Sequence, residues 1–411
     1  TGDSQNARRM AAALAVEMRA VGINIDFAPD LDVNNNPSNP VIGIRSFSSD
    51  PAKVAEYGLA FAQGLQENGV MACGKHFPGH GDTGVDSHVD LPLVPHDRAR
   101  LDQVELVPFQ AAIEADIAGI MSAHVTFPAI DPTPGLAATL SYPVLTGLLR
   151  HELGYDGLIV TDSLEMGALA ANGYPPQVSA PLAFAAGADL LLFNRDHAMH
   201  RDVFASLARA VREGKISREQ VDASVQRILQ TKQRFRLVDP QPVEIGAVTD
   251  SVKTVEHLTL ARELARKSVT LLRDPRRLLP LNADRSSLIV EPGVMRDLTK
   301  GLAETTLQVD ARPTPSQIAD IVHVAHEGHT MIVVVYDLSN NLEQRKLVQE
   351  LVDKDIPVIV IASRNPFDAF LLPDSATVLV TYGLNPPVRE ALADMLAGDA
   401  RPTGRLPVEL P

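Results

Sequence analysis

The chain has 411 residues, 45% of them hydrophobic, and a formal net charge of −14. That length suits two domains, each with its own core, and the acidity argues against a nucleic-acid backbone or an anionic membrane surface as partner. The single cysteine, Cys73, rules out an intramolecular disulfide, and the lack of Trp with only 4% aromatics favours a small polar ligand over stacked long polysaccharide. No apolar run nears the roughly 20 residues of a membrane span. The first residue is Thr1, no signal peptide is visible, and the compartment is not legible from this end.

In chain order, apolar spacing predicts a helix over 6–20, with Ser4 as a cap and Gly22 as the stop. A strand follows over 23–29, then a polar loop over 30–37 and the segment Ile44-Arg45-Ser46-Phe47. Residues 51–68 read as helix, 69–73 as a buried strand ending at Lys75-His76, and 96–115 as helix. Strands are expected over 119–124, 157–162 and 189–193, and helices over 142–152 and 178–186. A helical region over 200–235 breaks near Gly214, and Ser217 starts its second half. Short apolar strands alternating with helices mean a parallel sheet with helices outside it. Five strand–helix units precede residue 236, whereas a closed barrel of this type has eight strands.

Residues 237–252 lack periodicity and read as a linker. Beyond them, β-branched strands are expected over 268–272, 288–290, 331–335, 357–361 and 377–380, with helices over 255–267, 316–326, 342–354 and 387–397. The fold expected is therefore α/β: a TIM-type (β/α) barrel over 1–236 that lacks its first strands in this chain, then an α/β/α sandwich over 253–411. The sandwich carries no glycine-rich phosphate loop and no convincing ionisable cluster.

Chemistry concentrates in residues 74–92, GKHFPGHGDTGVDSHVDLP, where a strand ends and Lys75, His76, His80, Asp82, Asp86, His88 and Asp90 follow among glycines. Asp86-Ser87-His88 places an acid two residues before a histidine: either the acid holds one ring nitrogen and leaves the other free as acid or base, or Asp86 caps the loop and His88 is solvated. Asp162 ends a strand; it is either the N-cap of a capping box with Glu165 or a carboxylate nucleophile at a barrel mouth. His76, His80, Asp82 and His88 have a loose metal-ligand spacing, which the surrounding glycines weaken by implying a mobile loop. No metal or other cofactor is expected. Arg45 is either a surface charge or a hydrogen-bond donor to substrate, His124 is either a lining residue or a core histidine, and Asp26, Asp30 and Asp32 read as loop carboxylates with capping roles.

Taken together, the run Lys75-His76-Phe77-Pro78-Gly79-His80-Gly81-Asp82-Thr83 before Asp86-Ser87-His88, the upstream Ile44-Arg45-Ser46-Phe47 and the downstream 160–168, VTDSLEMGA, resemble glycoside hydrolase family 3 in its NagZ-like β-N-acetylglucosaminidase branch. The segments 261–272 and 403–408 resemble that family's second domain. The resemblance implies a retaining mechanism with Asp162 as nucleophile and His88, paired with Asp86, as acid/base. It implies Arg45, Lys75 and His76 as sugar-hydroxyl ligands, and a small sugar or muropeptide as the partner. Family members acting on glucosides take their acid/base from a second-domain glutamate and lack the D-S-H, so its presence implies N-acetylglucosamine. A neutral histidine base also admits phosphate as acceptor, which would make the enzyme a phosphorylase. The family's acidic D-x-E-G-G segment is absent from this chain, so a catalytically silent sugar-binding protein is the contrasting expectation. Some two-domain members are exported to the cell envelope.

Overall fold

The computed structural model describes residues 1–84, 91–194, 199–239, 241–281, 286–293, 302, 305–326 and 328–409. The chain divides into two compact units, Ser4–Thr254 and Val255–Pro411, with Thr1–Asp3 belonging to the second. No helix among the described residues is long and apolar enough to cross a membrane.

Among its described residues the first unit is built on four parallel strands in the order β1-β2-β3-β4: Ile25–Asp26, Met71–Phe77, Gly119–Ser122 and Leu158–Thr161. Their residues are nearly all buried, as both faces of a parallel sheet require. The expected strand over 23–29 ladders regularly for two residues, but its pairing runs on irregularly. Cys73 N–H donates to Ala28 O, Lys75 N–H to Pro29 O, and Leu31 N–H to Lys75 O. The expected strand over 189–193 reduces to one bridge, Val160 to Leu190. Among the described residues the sheet is therefore open, and its topology alone does not establish the expected barrel, which lacks its first strands in this chain. The physical reason is a ladder that regular pairing carries through four strands and a single further bridge.

Helices cover this sheet. Ser4–Ala20 buries Ala7, Ala11 and Ala15 at a spacing of four, one stripe of its surface. That stripe packs on Pro51–Glu67, where a Cβ on Gly64 would stand 2.4 Å from Arg8 O, so only glycine admits this approach. Asp50 caps the second helix by accepting from Ala52 N–H, with Pro51 in its first turn. The helix expected over 96–115 is two, Arg98–Gln103 and Val107–Glu114. Pro143–Glu152 is wound as a π-helix. Ser217 caps Arg218–Arg234 through Gln220 N–H, as the sequence predicts. Residues 245–251 hold a 3-10 turn, Ile245–Ala247, and one helical turn, Val248–Ser251.

Among its described residues the second unit has six strands: β5 Thr270–Arg273, β6 Ser287–Pro292, β7 Thr305–Val309, β8 Thr330–Val335, β9 Val358–Ala362 and β10 Thr377–Val380. Their order is β5-β10-β9-β8-β6-β7, parallel except for β5. Without that antiparallel edge strand the order is the 2-1-3-4-5 winding of an open α/β sheet. The edge strand β7 is an element the sequence reading missed. Helices Pro315–Ala325, Leu342–Asp353 and Pro386–Ala397 each bury one apolar stripe. The first opens on a full capping box, Thr314 with Gln317.

Candidate active site

Parallel strands all end at one edge of a sheet, and loops at that edge can converge. In the first unit that edge carries Asp30 and Asp32 beyond β1, Lys75 and His76 near the end of β2, His124 beyond β3 and Asp162 beyond β4.

Asp32 is the centre of the arrangement. It is fully buried, and its carboxylate accepts from His80 N–H at 2.6 Å, His76 N–H at 3.2 Å and His76 Nδ1 at 2.7 Å. A carboxylate taking Nδ1–H fixes the ring tautomer, so Nε2 carries a lone pair. Arg45, which can only donate, meets that lone pair at 3.2 Å. Burial lowers the His76 pKa to about 4, so its ring stays neutral at neutral pH. The capping role expected for Asp32 is thus incomplete: it orients two histidines. The signal lay in the sequence, because Asp30 and Asp32 alternate beyond a strand and so share a face.

Asp162 is half-buried, and its Oδ1 accepts from Ser163 N–H at 2.7 Å. Burial alone would raise its pKa. His76, His124, the Ser163 N–H and Lys75 outweigh burial and hold the carboxyl below the usual carboxylate range. The capping-box alternative is not realised: the next helix is Gly167–Ala171 with Met166 as N-cap, and Glu165 accepts from Asn194 N–H instead. His124 is buried, and its Nε2 donates to Ser163 O at 2.9 Å while Nδ1 meets Thr139 Oγ1 at 2.9 Å. It therefore braces the segment beside Asp162. Cys73, beneath the site, has a thiol that burial pushes up to about 12, which leaves it unreactive.

The described part of the glycine-rich loop is packed and hydrogen-bonded. Phe77 to Gly81 and Thr83 are buried. Asn39 Nδ2 donates to His80 O and Gly81 O, and His80 Nδ1 pairs with Thr83 Oγ1 at 2.7 Å. A Cβ on Gly81 would lie 1.8 Å from Val33 O, so the glycine serves close packing rather than freedom. The acid/base candidates Asp86 and His88 lie outside the described residues, as does Asp90.

Among the described residues two groups have metal-ligand spacing: Asp30, Asp32 and His76, and Asp82, His96 and Glu105. Each already faces a guanidinium, Arg45 in the first and Arg100 in the second, which supplies the positive charge a cation would bring. Asp82 pairs with His96 at 2.6 Å, and so does not join the His76 and His80 grouping that the sequence suggested. An apolar pocket of about 300 Å³, lined by residues such as Ile25, Met71, Leu158 and Ile228, sits at the opposite ends of the strands and holds none of the candidates.

The chain is similar to known proteins in sequence and in fold. The family described as glycosyl hydrolase family 3 N terminal domain matches residues 1–231. A beta-hexosaminidase A of Pseudoalteromonas piscicida is 32% identical over 98% of this chain and 76% of its own length. A beta-N-acetylglucosaminidase/beta-glucosidase of Cellulomonas fimi is 28% identical over 100% of this chain and 78% of its own. The solved structure of a family 3 beta-N-acetylglucosaminidase from Paenibacillus sp. FPU-7 superimposes with a TM-score of 0.92 and 39% identity, covering 100% of this chain and 80% of that one.

Proposed function

This chain belongs to glycosyl hydrolase family 3 and is a glycoside hydrolase, and from that premise we propose that it is a retaining exo-β-N-acetylglucosaminidase acting on peptidoglycan fragments. The observation that carries the proposal is Asp162: a strand-end carboxylate held ionised beside Lys75 and His76. An ionised carboxylate at that place is what a nucleophile at an anomeric carbon requires.

In the first step an Asp162 oxygen attacks the anomeric carbon while the bond to the leaving oxygen breaks. His88 gives its proton to that oxygen, and Asp86 holds the other ring nitrogen. In the second step His88 takes a proton from water, the water oxygen attacks the same carbon, and Asp162 leaves as carboxylate. Two inversions give retention. His88 is neutral after its first transfer, so no second anion forms beside Asp162. Arg45, Lys75 and His76 are assigned to the sugar hydroxyls, with Asp32 on His76 Nδ1 turning His76 Nε2 toward Arg45.

The direct test is mass spectrometry after incubation with a slow 5-fluoro N-acetylglucosaminyl donor. A gain of one sugar on the peptide holding Asp162 is expected. A label on another carboxylate, or none on an enzyme that turns over, overturns the assignment. A second acceptor is favoured by one finding: a beta-glucoside phosphorylase superimposes with a TM-score of 0.87 and 25% identity, covering 99% of this chain. Sugar phosphate among products formed in phosphate buffer would establish phosphorolysis, and its absence would leave hydrolysis alone.

A further inference from the structure

Asp30 is the one acid of the strand-end cluster to which the reaction above gives no task. Its side chain is only 6% exposed. Its backbone is fixed, since Asp30 bridges Lys75 and the next N–H, of Leu31, donates to Lys75 O. Oδ1 accepts from Asp32 N–H at 3.2 Å. Oδ2 is buried, has no hydrogen-bond partner, and lies 3.5 Å from Arg45 Nε. That gap is about half an ångström longer than a normal N–H···O bond. Arg45 itself is more open, with its side chain 38% exposed, and its NH2 group reaches His76 Nε2.

We propose that Asp30 is a positioning residue for the sugar site, acting through Arg45. This rests on the proposal that Arg45 binds sugar hydroxyls. A guanidinium is a planar fork of five donors. With Nε drawn to Asp30 and one amino group on His76, the plane of the fork is set and the remaining outer N–H groups are free for hydroxyls. The aliphatic stem of an exposed arginine does not set that plane by itself.

The anchor is also pH-dependent. Asp30 is faced by Asp32 from its own segment, by His76 and Lys75 from β2, and by Arg45 from the turn Gly43–Arg45. Burial first, and then the Asp32 carboxylate, raise the Asp30 pKa to about 7, against the pull of His76 and Arg45. Once protonated, Asp30 donates its O–H to Asp32 and loses its attraction for Arg45. Sugar binding should therefore strengthen as pH rises through about 7, and the change should appear in KM.

The experiment measures kcat and KM of the wild type and Asp30→Asn on a chromogenic N-acetylglucosaminide between about pH 6 and about pH 8. The asparagine keeps the shape and the acceptor for Asp32 N–H; equal thermal midpoints check that it folds. The wild-type KM should fall about ten-fold across that range, the worth of one charge-assisted hydrogen bond. In Asp30→Asn it should stay at the acid value throughout, with kcat following the wild-type profile. A variant that keeps the full KM step overturns the proposal, as does a step carried by kcat. A carboxyl-carbon NMR titration is independent of turnover: the Asp30 signal should move to higher pH in Arg45→Gln. No movement overturns the Arg45 link, whereas a folded wild type inert on every N-acetylglucosaminide refutes only the functional reading.

Discussion

The two units carry parallel sheets of the same texture, yet their strand ends differ. In the second unit two polar side chains at that edge are spent on backbone. Asp368, buried after β9, accepts from Asp337 N–H and Leu338 N–H with its two oxygens. Ser363 Oγ donates to Val335 O. In the first unit the same edge keeps charge in reserve: Arg45, beside His76, is 38% exposed, and Asp162 sits ionised beside Lys75. A strand end in an α/β sheet is a place where chemistry can be put, and it becomes a site only when side chains there retain unspent donors, acceptors or charge.

Substitutions at matched acids sharpen that contrast. The largest effect is expected for Asp162→Asn, which removes the nucleophile. It should cut kcat on the order of 10⁴-fold with little change in thermal midpoint, measured by steady-state kinetics and calorimetry. A variant within ten-fold of wild type would dissolve the contrast. Asp32→Asn comes next. An amide cannot accept from every N–H donor of His76 and His80 at once, so the His76 tautomer is no longer fixed. The expected loss in kcat/KM is on the order of 10²-fold, typical of misplacing a positioned group. An unchanged kcat/KM in folded protein would mean that Asp32 serves stability alone.

Most of the fold was legible because periodicity reports burial. The strands of both sheets and the helices Pro51–Glu67 and Pro386–Ala397 emerge where apolar runs or apolar stripes predict them. What escaped detection depends on pairing rather than pattern. β7 is an edge strand, with Thr305, Thr306 and Gln308 exposed, so it lacks an apolar run. The segment at 189–193 has one and still makes a single bridge, because a strand needs a partner in register as well as propensity. In the candidate site, the strand-end position singled out Asp162, while the family resemblance singled out Arg45, Lys75 and His76. They did not reveal Asp32 as the hub, since only the folded chain brings His76 and His80 back onto it across more than forty residues. Glycines misled in the other direction. Gly81 looked like flexibility and is a contact surface for Val33.

The smallest expected effect is the one that separates the units most cleanly. Burial raises the Asp368 carboxyl to about 6, against its two backbone N–H donors. A raised carboxyl binds its proton in the folded state at a pH where the unfolded chain has released it. The stability it contributes is therefore present at low pH and lost as pH rises from about 4 through about 6. The slope is at most about 1.4 kcal/mol per pH unit for one proton. The first unit lacks such a simple dependence, because its shifts oppose one another. His76 and His80 are both lowered to about 4, which favours folding as pH rises, while Asp30 is raised to about 7, which disfavours it. Hydrogen exchange read by mass spectrometry, peptide by peptide, distinguishes the two. Protection in β8 and β9 should fall between about pH 4 and about pH 6 in wild type and become flat in Asp368→Asn. The activity of the folded variant should be unchanged, since Asp368 spends both oxygens on backbone. A loss of kcat in folded Asp368→Asn would mean that the second unit's strand ends also serve the reaction, and the division between spent and unspent edges would fail.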